Sequence, residues 1–572
     1  MIYKVFADND SFNEVEFSRG INIVLGVKDI SSDDKDTMNG VGKTTLLEII
    51  DFCLGSKADK NSYLKKIDYI KDWTFNLDMD LYGTRYIISR SIENSNKIYI
   101  DGDITKFNTS PEKDENGYYF KINDWRDILG SYYFNLKKSS SKYNPTFRSL
   151  ISYFIRKSSE SFIDPLEHHR KQKTWDIQVN NAFLLGLDSK CASDFQILKD
   201  NINENNKELK KFDKSTIGEM ETKKINMENE LNRKNETLSS FRIHENYSEI
   251  ENQVNQLSTE LNYLANDTMI LKRKLNIYNK SISNETPPKN ELLGKLYDEI
   301  EEMFNIKTKK SLEDIRSFHN NLIKNRKSFL KVEISEIKKE IDYNEKLIED
   351  KGQQRSKFMK ILETHNAFDE FKLLQEQIYE EKIKLNDIKI YIDNFNRISQ
   401  NKKELKEEKN ILKEKIVREY NVYRPLWEES IRLFGENTKF LYGSSGELII
   451  NLDQAYKFQI NFPKNDSRGI SKMKIFCYDL MLLERNSSEN NIDFLIHDSE
   501  IFSDVDSRQV AKALQLAENK CDTKDLQYIF TLNSDELEKI KLELPIDFNV
   551  DKYVRLRLND NNPNGHLLGV MF

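Results

Sequence analysis

At 572 residues, with only 19 glycines and 9 prolines and 32% of its residues charged, the chain is too long for one ordinary domain and too poor in turn-forming residues for several small ones, so long helices are expected. A net charge of -7 excludes a general electrostatic attraction to nucleic acid, and any contact with DNA has to come from a local basic surface. The opening Met1-Ile-Tyr-Lys-Val-Phe-Ala-Asp8 is not a signal peptide, no apolar run approaches the ~18 residues of a membrane span, and Cys53, Cys191, Cys477 and Cys521 form no C-x-x-C pair, so a cytoplasmic protein without membrane contact, disulfide framework or cysteine-held zinc is expected.

Residues 1 to about 190 read as mixed α/β. Tyr3, Val5, Val15 and Phe17 alternate as strands do, and Gly20-Ile-Asn-Ile-Val-Leu-Gly26 is an apolar run of the kind that forms a buried strand. Asn39-Gly-Val-Gly-Lys-Thr-Thr45 follows, leading into Leu46, Leu47, Ile49 and Ile50, the apolar face of a helix. Strand, glycine-rich loop and helix in that order make a phosphate-binding loop. Gly40 and Gly42 let backbone N–H groups turn toward phosphate oxygens, with Asn39, Val41 and Thr45 completing the loop. Lys43 would reach the β- and γ-phosphates of a nucleotide, and the Thr44 hydroxyl would bind Mg²⁺. Thr37 stands where the full G-x-x-x-x-G-K-[ST] pattern has its first glycine, and Val27 to Met38 reads as an insertion after Gly26.

Downstream, 76–82 and 85–89 predict a hairpin around Gly83, and 97–104 a second strand pair turning at Asp101-Gly102. Between Tyr132 and Trp175, basic residues alternate with aromatics: Lys137, Lys138, Lys142, Arg148, Arg156, Lys157, His168, His169, Arg170, Lys171 and Lys173. Such a stretch either contacts nucleic-acid phosphates and stacks bases or forms a solvated surface. Lys137, Lys138, Arg170 and Lys171 are its candidate DNA-binding residues.

From about 190 to 425 the composition turns to Lys, Glu, Asn, Leu and Ile. Ile243, Tyr247, Ile250, Val254, Leu257, Leu261, Leu264, Thr268, Leu271, Leu275 and Tyr278 follow steps of three and four, which is a coiled-coil seam broken only by Thr268. Pro287 and Pro288 end it. A second seam runs through Leu330, Ile334, Ile337 and Ile341, then Phe371, Leu374, Ile378, Leu385, Ile388, Ile392 and Phe395. The simplest arrangement is an antiparallel hairpin, with an outgoing arm 191–284, a tip 285–320 and a returning arm 321–425. Arms of about 90 residues would reach about 135 Å. Gly352 and Thr364 to Phe368 are candidate elbow positions, and an inert spacer or a fibrous dimer zipper is the plainer alternative for the whole region.

Globular patterning returns in 426–572. Strands are expected at 440–442, 447–452 and 456–462, then Asp466-Ser-Arg-Gly-Ile-Ser471 leads into a helix Lys472 to Leu483. Asp493-Phe-Leu-Ile-His-Asp498 is an apolar strand ending in aspartate, the way a phosphate-loop ATPase holds Mg²⁺.

With these residues in place, the chain resembles an SMC/Rad-type coiled-coil ABC ATPase, most similar to short bacterial SMC-like ATPases of multi-component phage- and plasmid-defence systems. The resemblance spans the whole chain in architecture but rests on a few short motifs. It implies an α/β ABC-type head, split into halves 1–190 and 426–572 by the coiled-coil hairpin. Asn39 to Thr44 resembles Walker A. Ser467-Arg468-Gly469 resembles the signature motif that acts in trans on a second protomer's ATP. Phe494 to Asp498 resembles Walker B, and Val505-Asp506 the D-loop. Three positions depart from the pattern. Ser499 follows Asp498 where the family has its catalytic glutamate, so either Glu500 takes that role through a one-residue insertion or hydrolysis is slow. Asn533 occupies the switch-histidine position. Lys157, in Tyr153-Phe-Ile-Arg-Lys157, stands where a Q-loop glutamine would be.

The resemblance implies ATP and Mg²⁺ as cofactors, Thr44 and Asp498 as the metal-holding residues, and Glu500 with Asp498 as the catalytic pair. It implies an ATP-dependent homodimer acting on double-stranded DNA, at ends or on foreign molecules, with an operon-encoded nuclease and an accessory subunit. A housekeeping DNA double-strand-break repair ATPase and a coiled-coil scaffold with a degenerate ATP site are the alternatives.

Overall fold

The computed structural model describes residues 1–27, 40–58, 62–138, 141–240, 245–284, 306–362, 367–462 and 467–570. Asn39, most of the insertion after Gly26, Pro287 and Pro288, Thr364 to Asn366 and Asp466 lie outside these residues. The chain divides into two compact units, one made of 1–198, 292–313 and 409–572, the other of 199–291 and 314–408.

The first unit has a five-stranded parallel sheet at its centre, in the order Ile155–Arg156, Phe494–His497, Gln527–Asn533, Gly20–Val27, Val554–Asn559. Sequence-remote ends of the chain thus lie side by side: Gly20 to Gly26 pairs residue for residue with Gln527 to Asn533. Gly20 to Gly26 is buried throughout, as expected of an apolar run hydrogen-bonded to parallel neighbours on both edges. The helix Lys43–Cys53 leaves the loop after this strand and buries Leu46, Leu47, Ile49 and Ile50 completely. The helix Arg468–Glu489 is buried along most of its length, with Ile475 to Leu483 all inaccessible, Asp479 among them.

A seven-stranded antiparallel sheet completes this unit, in the order Val15–Glu16, Ile2–Ala7, Thr74–Leu81, Thr84–Ser91, Lys97–Asp101, Gly117–Lys121, Glu112–Asp114. The hairpin expected around Gly83 forms, with Tyr82 and Gly83 both at positive φ (54° and 67°), as a two-residue turn matching strand twist requires. The expected pair across Gly102 does not form. The Asp103 side chain accepts from the Thr105 backbone N–H and starts a 3-10 turn at Ile104–Lys106, so Lys97–Asp101 pairs with Gly117–Lys121 instead. Phe440 to Tyr442 is likewise not a strand but the last turn of the helix Arg424–Tyr442, stopped by Gly443 at φ 77°. All four cysteines are buried free thiols.

The second unit is helical, and its pairings fix the helix directions. Along Lys214–Ser240, Glu228 bonds Lys389 and Lys234 bonds Glu381, so this helix runs antiparallel to Ala367–Val422. Along Glu245–Asn284, Asn255 meets Gln375 and Arg273 meets Asp387, so that helix runs parallel to the same Ala367–Val422. It runs antiparallel to Lys309–Leu362, through Glu260–Lys351, Asp267–Asn344 and Leu271 against Ile337 and Ile341. Lys214–Ser240 and Glu245–Asn284 therefore point in opposite directions, as do the two later helices. The outgoing stretch, read from sequence as one arm, therefore contains two successive helices of opposite sense, Lys214–Ser240 and Glu245–Asn284, after the helix Ser189–Leu209, and the returning stretch contains Lys309–Leu362 and Ala367–Val422, again of opposite sense. Heptad spacing specifies a buried seam but not which helix supplies the facing side chains. The seams themselves are buried: Val254 packs on Met359 and Leu362, and Leu231 on Ile378 and Leu385. Within the first unit, Ile306–Thr308 pairs in parallel with Lys57–Ala58, so a segment that a simple hairpin would put in its tip contributes a strand there. No helix among the described residues is long and apolar enough to cross a membrane.

Candidate nucleotide site

The site forms at the C-terminal ends of the central parallel strands, where an α/β sheet presents its loops. Gly42 caps the helix Lys43–Cys53 in a left-handed conformation (φ 105°), and Gly40 is also left-handed (φ 104°). Being glycine, Gly42 brings no side chain to cap the helix, which leaves the first-turn N–H groups suited to an anion. A Cβ on Gly42 would lie 2.5 Å from Leu567 Cβ, and Leu567 N–H donates to Val41 O at 3.0 Å. The loop is thus held from behind by a segment more than 500 residues away in sequence. Asn13 braces that segment, donating its side-chain amide to Asn564 O and His566 O.

Lys43 runs back over the strand end. Its Nζ donates to Asn533 Oδ1 at 2.5 Å, and a Cβ on Gly26 would lie 2.6 Å from the same nitrogen. Gly26 therefore makes room for the lysine. Burial lowers the Lys43 ammonium from its ordinary value, partly offset by the nearby carboxylates Asp498, Glu536 and Asp535. Thr44 Oγ1 donates to Asp498 Oδ2 at 2.8 Å. One hydroxyl and one carboxylate at the mouth of a glycine-rich loop fit Mg²⁺, which takes few protein ligands and completes its octahedron with phosphate and water. Thr45 is buried and its hydroxyl meets Tyr63.

Asp498 ends the strand Phe494–His497 and caps the 3-10 turn Ser499–Phe502, accepting from Glu500 N–H at 3.2 Å. Ser499 stays beside it, its Oγ 3.3 Å from Asp498 Oδ1 and its N–H on Thr531 Oγ1. The Glu500 carboxylate turns to Lys472, with Oε1 2.7 Å from Nζ. Ser467 caps the helix Arg468–Glu489, accepting from Ile470 N–H, and Arg468 opens that helix. A Cβ on Gly469 would lie 2.5 Å from Asp504 O, so the segment before Asp506 passes directly over this glycine. Asp506 caps the next helix and grips Arg508 with both oxygens, and these hydrogen bonds lower its carboxyl to about 2.

Lys157 is committed to the helix Lys43–Cys53: its Nζ is 2.6 Å from both Glu48 Oε2 and Asp51 Oδ2. Asp51 also pairs with Arg148 at 2.6 Å. Burial alone would raise the Asp51 carboxyl, but Arg148 and Lys157 overcome it and hold it below its ordinary value. Arg156, fully buried, pairs with Asp479, which also meets His497 Nε2 at 3.0 Å. Of the basic stretch read from sequence, Arg148, Arg156, Lys157, His168 and His169 are therefore interior groups, whereas Lys137, Lys138, Arg170 and Lys171 are exposed. Lys138 pairs with Asp127 at 3.1 Å.

Several residues around this site carried no signal of their own. Lys472 is one turn beyond the Ser467 cap, and Thr531 is two residues before Asn533 with its side chain on the same face of the strand. Leu567 and Asn13 could not have been found locally, since their role depends on a long-range contact.

Residues 3–264 match the model of an AAA domain family, and residues 437–572 match that of an uncharacterised protein family conserved in bacteria (DUF2326). Uncharacterized protein YydD of Bacillus subtilis (strain 168) is 24% identical over 557 residues, covering 91% of this chain and 90% of that protein. Among solved structures, the Smc head domain with a coiled coil and joint from Pyrococcus yayanosii is 17% identical with a TM-score of 0.34, covering 94% of this chain and 93% of that one. The recombination mediator protein RecF, of the RecFOR pathway, is 15% identical with a TM-score of 0.26, covering 93% and 92%. The two family matches fall on the two stretches that carry Lys43 with Thr44 and Asp498 with Asn533, which the fold joins into one site on an α/β head split by long helices.

Proposed function

We propose that this chain is an SMC-like ATP-binding and ATP-hydrolysing subunit whose heads dimerise around ATP to control engagement of double-stranded DNA. The observation that carries the reading is the joining of two sequence-remote motifs, Thr44 to Asp498 and Lys43 to Asn533, at one place on the sheet edge, where the residues suit Mg²⁺ and a triphosphate. Lys43 and the loop N–H groups bind phosphate. Thr44 and Asp498 hold the metal, whose contribution when bound is to neutralise phosphate charge. Glu500 orients the attacking water as general base. In this reading Ser467, Arg468 and Gly469 face the nucleotide of a second copy, so a complete site requires two chains, and Asp506 and Asn533 lie at its edges. Lys137, Lys138, Arg170 and Lys171 supply a local basic surface for DNA in an acidic chain. The biological setting is anti-phage or anti-plasmid defence, with cleavage supplied by a separate nuclease subunit and a further accessory subunit.

The test is calorimetric titration of ATP with Mg²⁺ into wild type and Lys43→Ala, alongside light scattering for ATP-dependent dimers. Wild-type binding with loss in the variant supports the reading, and equal binding in both removes it. A phage- and plasmid-challenge assay with the neighbouring genes then separates defence from DNA repair.

A further inference from the structure

We propose that Lys472 is a positioning residue that restrains Glu500. The inference rests on the reading of Glu500 as the base of an ATPase. Glu500 is held twice. Its backbone N–H donates to Asp498 Oδ1, while its Oε1 accepts from Lys472 Nζ at 2.7 Å and from Ser503 Oγ at 3.2 Å. Lys472 Nζ also bonds Ser503 Oγ, which closes a three-membered cluster. The two partners differ in burial: the Lys472 side chain is 9% exposed and that of Glu500 38%. The lysine is therefore confined to Glu500 and Ser503, whereas the carboxylate is partly open to solvent. A charge-assisted bond at this distance fixes the carboxylate on the ammonium and not on a water molecule.

Lys472 is anchored on the helix that Ser467 caps. It lies five residues after the Ser467 cap, about 7.5 Å along a rigid helix. Gly469, between them, touches the backbone of Asp504, which directly follows Ser503 of the same cluster. The helix that carries Lys472 thus meets the Ser503–Asp504 segment at two points, through the Lys472–Ser503 bond and through the close approach at Gly469.

The experiment is steady-state ATP hydrolysis by the full chain at one protein concentration at which wild type forms ATP-dependent dimers, comparing wild type, Lys472→Met, Lys472→Arg and Lys43→Ala. Lys472→Met is expected to raise kcat at least about fivefold with KM for ATP nearly unchanged, because binding groups are untouched. Lys472→Arg, which keeps the charge, stays near wild type, and Ser503→Ala gives a smaller rise. In a Glu500→Gln background the Lys472→Met effect disappears if the lysine acts through that carboxylate. An unchanged or lowered kcat, or an equal rise in the Glu500→Gln background, overturns the inference while leaving the ATPase reading intact. Activity no higher than Lys43→Ala in every variant overturns the ATPase reading itself.

Discussion

Gly469→Ala isolates the contact between the helix Arg468–Glu489 and the segment before Asp506. The new methyl would sit 2.5 Å from Asp504 O and 3.2 Å from Val505 Cα. Both obstacles are backbone, so relief requires moving the segment, at an overpacking cost of about 1–3 kcal/mol. Against this, alanine gains about 1 kcal/mol over glycine in a helix interior, and roughly half of that this close to the N-cap. The net expectation is a loss of about 1–2 kcal/mol, a melting temperature lower by a few degrees. Gly435→Ala is the matched control, since its methyl meets nothing nearer than 3.8 Å inside the helix Arg424–Tyr442. It should stabilise by about 0.5–1 kcal/mol. Thermal melts followed by near-ultraviolet circular dichroism give both values. ATP affinity of Gly469→Ala should match wild type, because Lys43, Thr44 and Asp498 are untouched, while ATP-dependent dimers are lost. If Gly469→Ala is stabilised like Gly435→Ala, the steric reasoning fails.

Arg156→Met leaves Asp479 buried beside His497 without its main counter-charge and should cost about 3–5 kcal/mol in urea unfolding, much of it recovered in Arg156→Met with Asp479→Leu. Asp51, whose carboxyl is held below its ordinary value, contributes stability that is complete above about pH 4 and is lost as pH falls through the lower folded value. The stability gap between wild type and Asp51→Asn should therefore narrow on acidification, and a gap that stays flat from neutral to acid pH would show that the carboxylate is not the stabilising form. Reversing Lys137, Lys138, Arg170 and Lys171 to glutamate should weaken DNA binding and reduce its salt slope by up to about 3–4, since each phosphate contact contributes ~0.9. An unchanged affinity assigns these residues to ordinary solvated surface.

The chain's own pattern determined much of this protein. The order of apolar strand, glycine-rich loop and apolar helix at 20–50 is local, because each step follows from backbone freedom at Gly40 and Gly42 and from helix periodicity. The heptads at 250–278 and 330–395 likewise fixed long helices with buried seams. Tertiary structure alone decided what those elements face. Glu245–Asn284 runs parallel to Ala367–Val422 and antiparallel to Lys309–Leu362, which no heptad spacing encodes, since a seam is satisfied by any apolar partner. Of eleven basic residues read as one surface stretch, five are buried. Arg148, Arg156 and Lys157 among them pair with Asp51, Glu48 and Asp479, which lie about 100 to 323 residues away. Glu500 was legible as a carboxylate near Asp498, but its bond to Lys472 was not, and neither was the contact of Leu567 with Gly42. The physical reason is the same in each case. Periodicity and turn chemistry act over a few residues, whereas a charge or a close backbone approach finds its partner only after the parallel sheet has brought the two ends of the chain together.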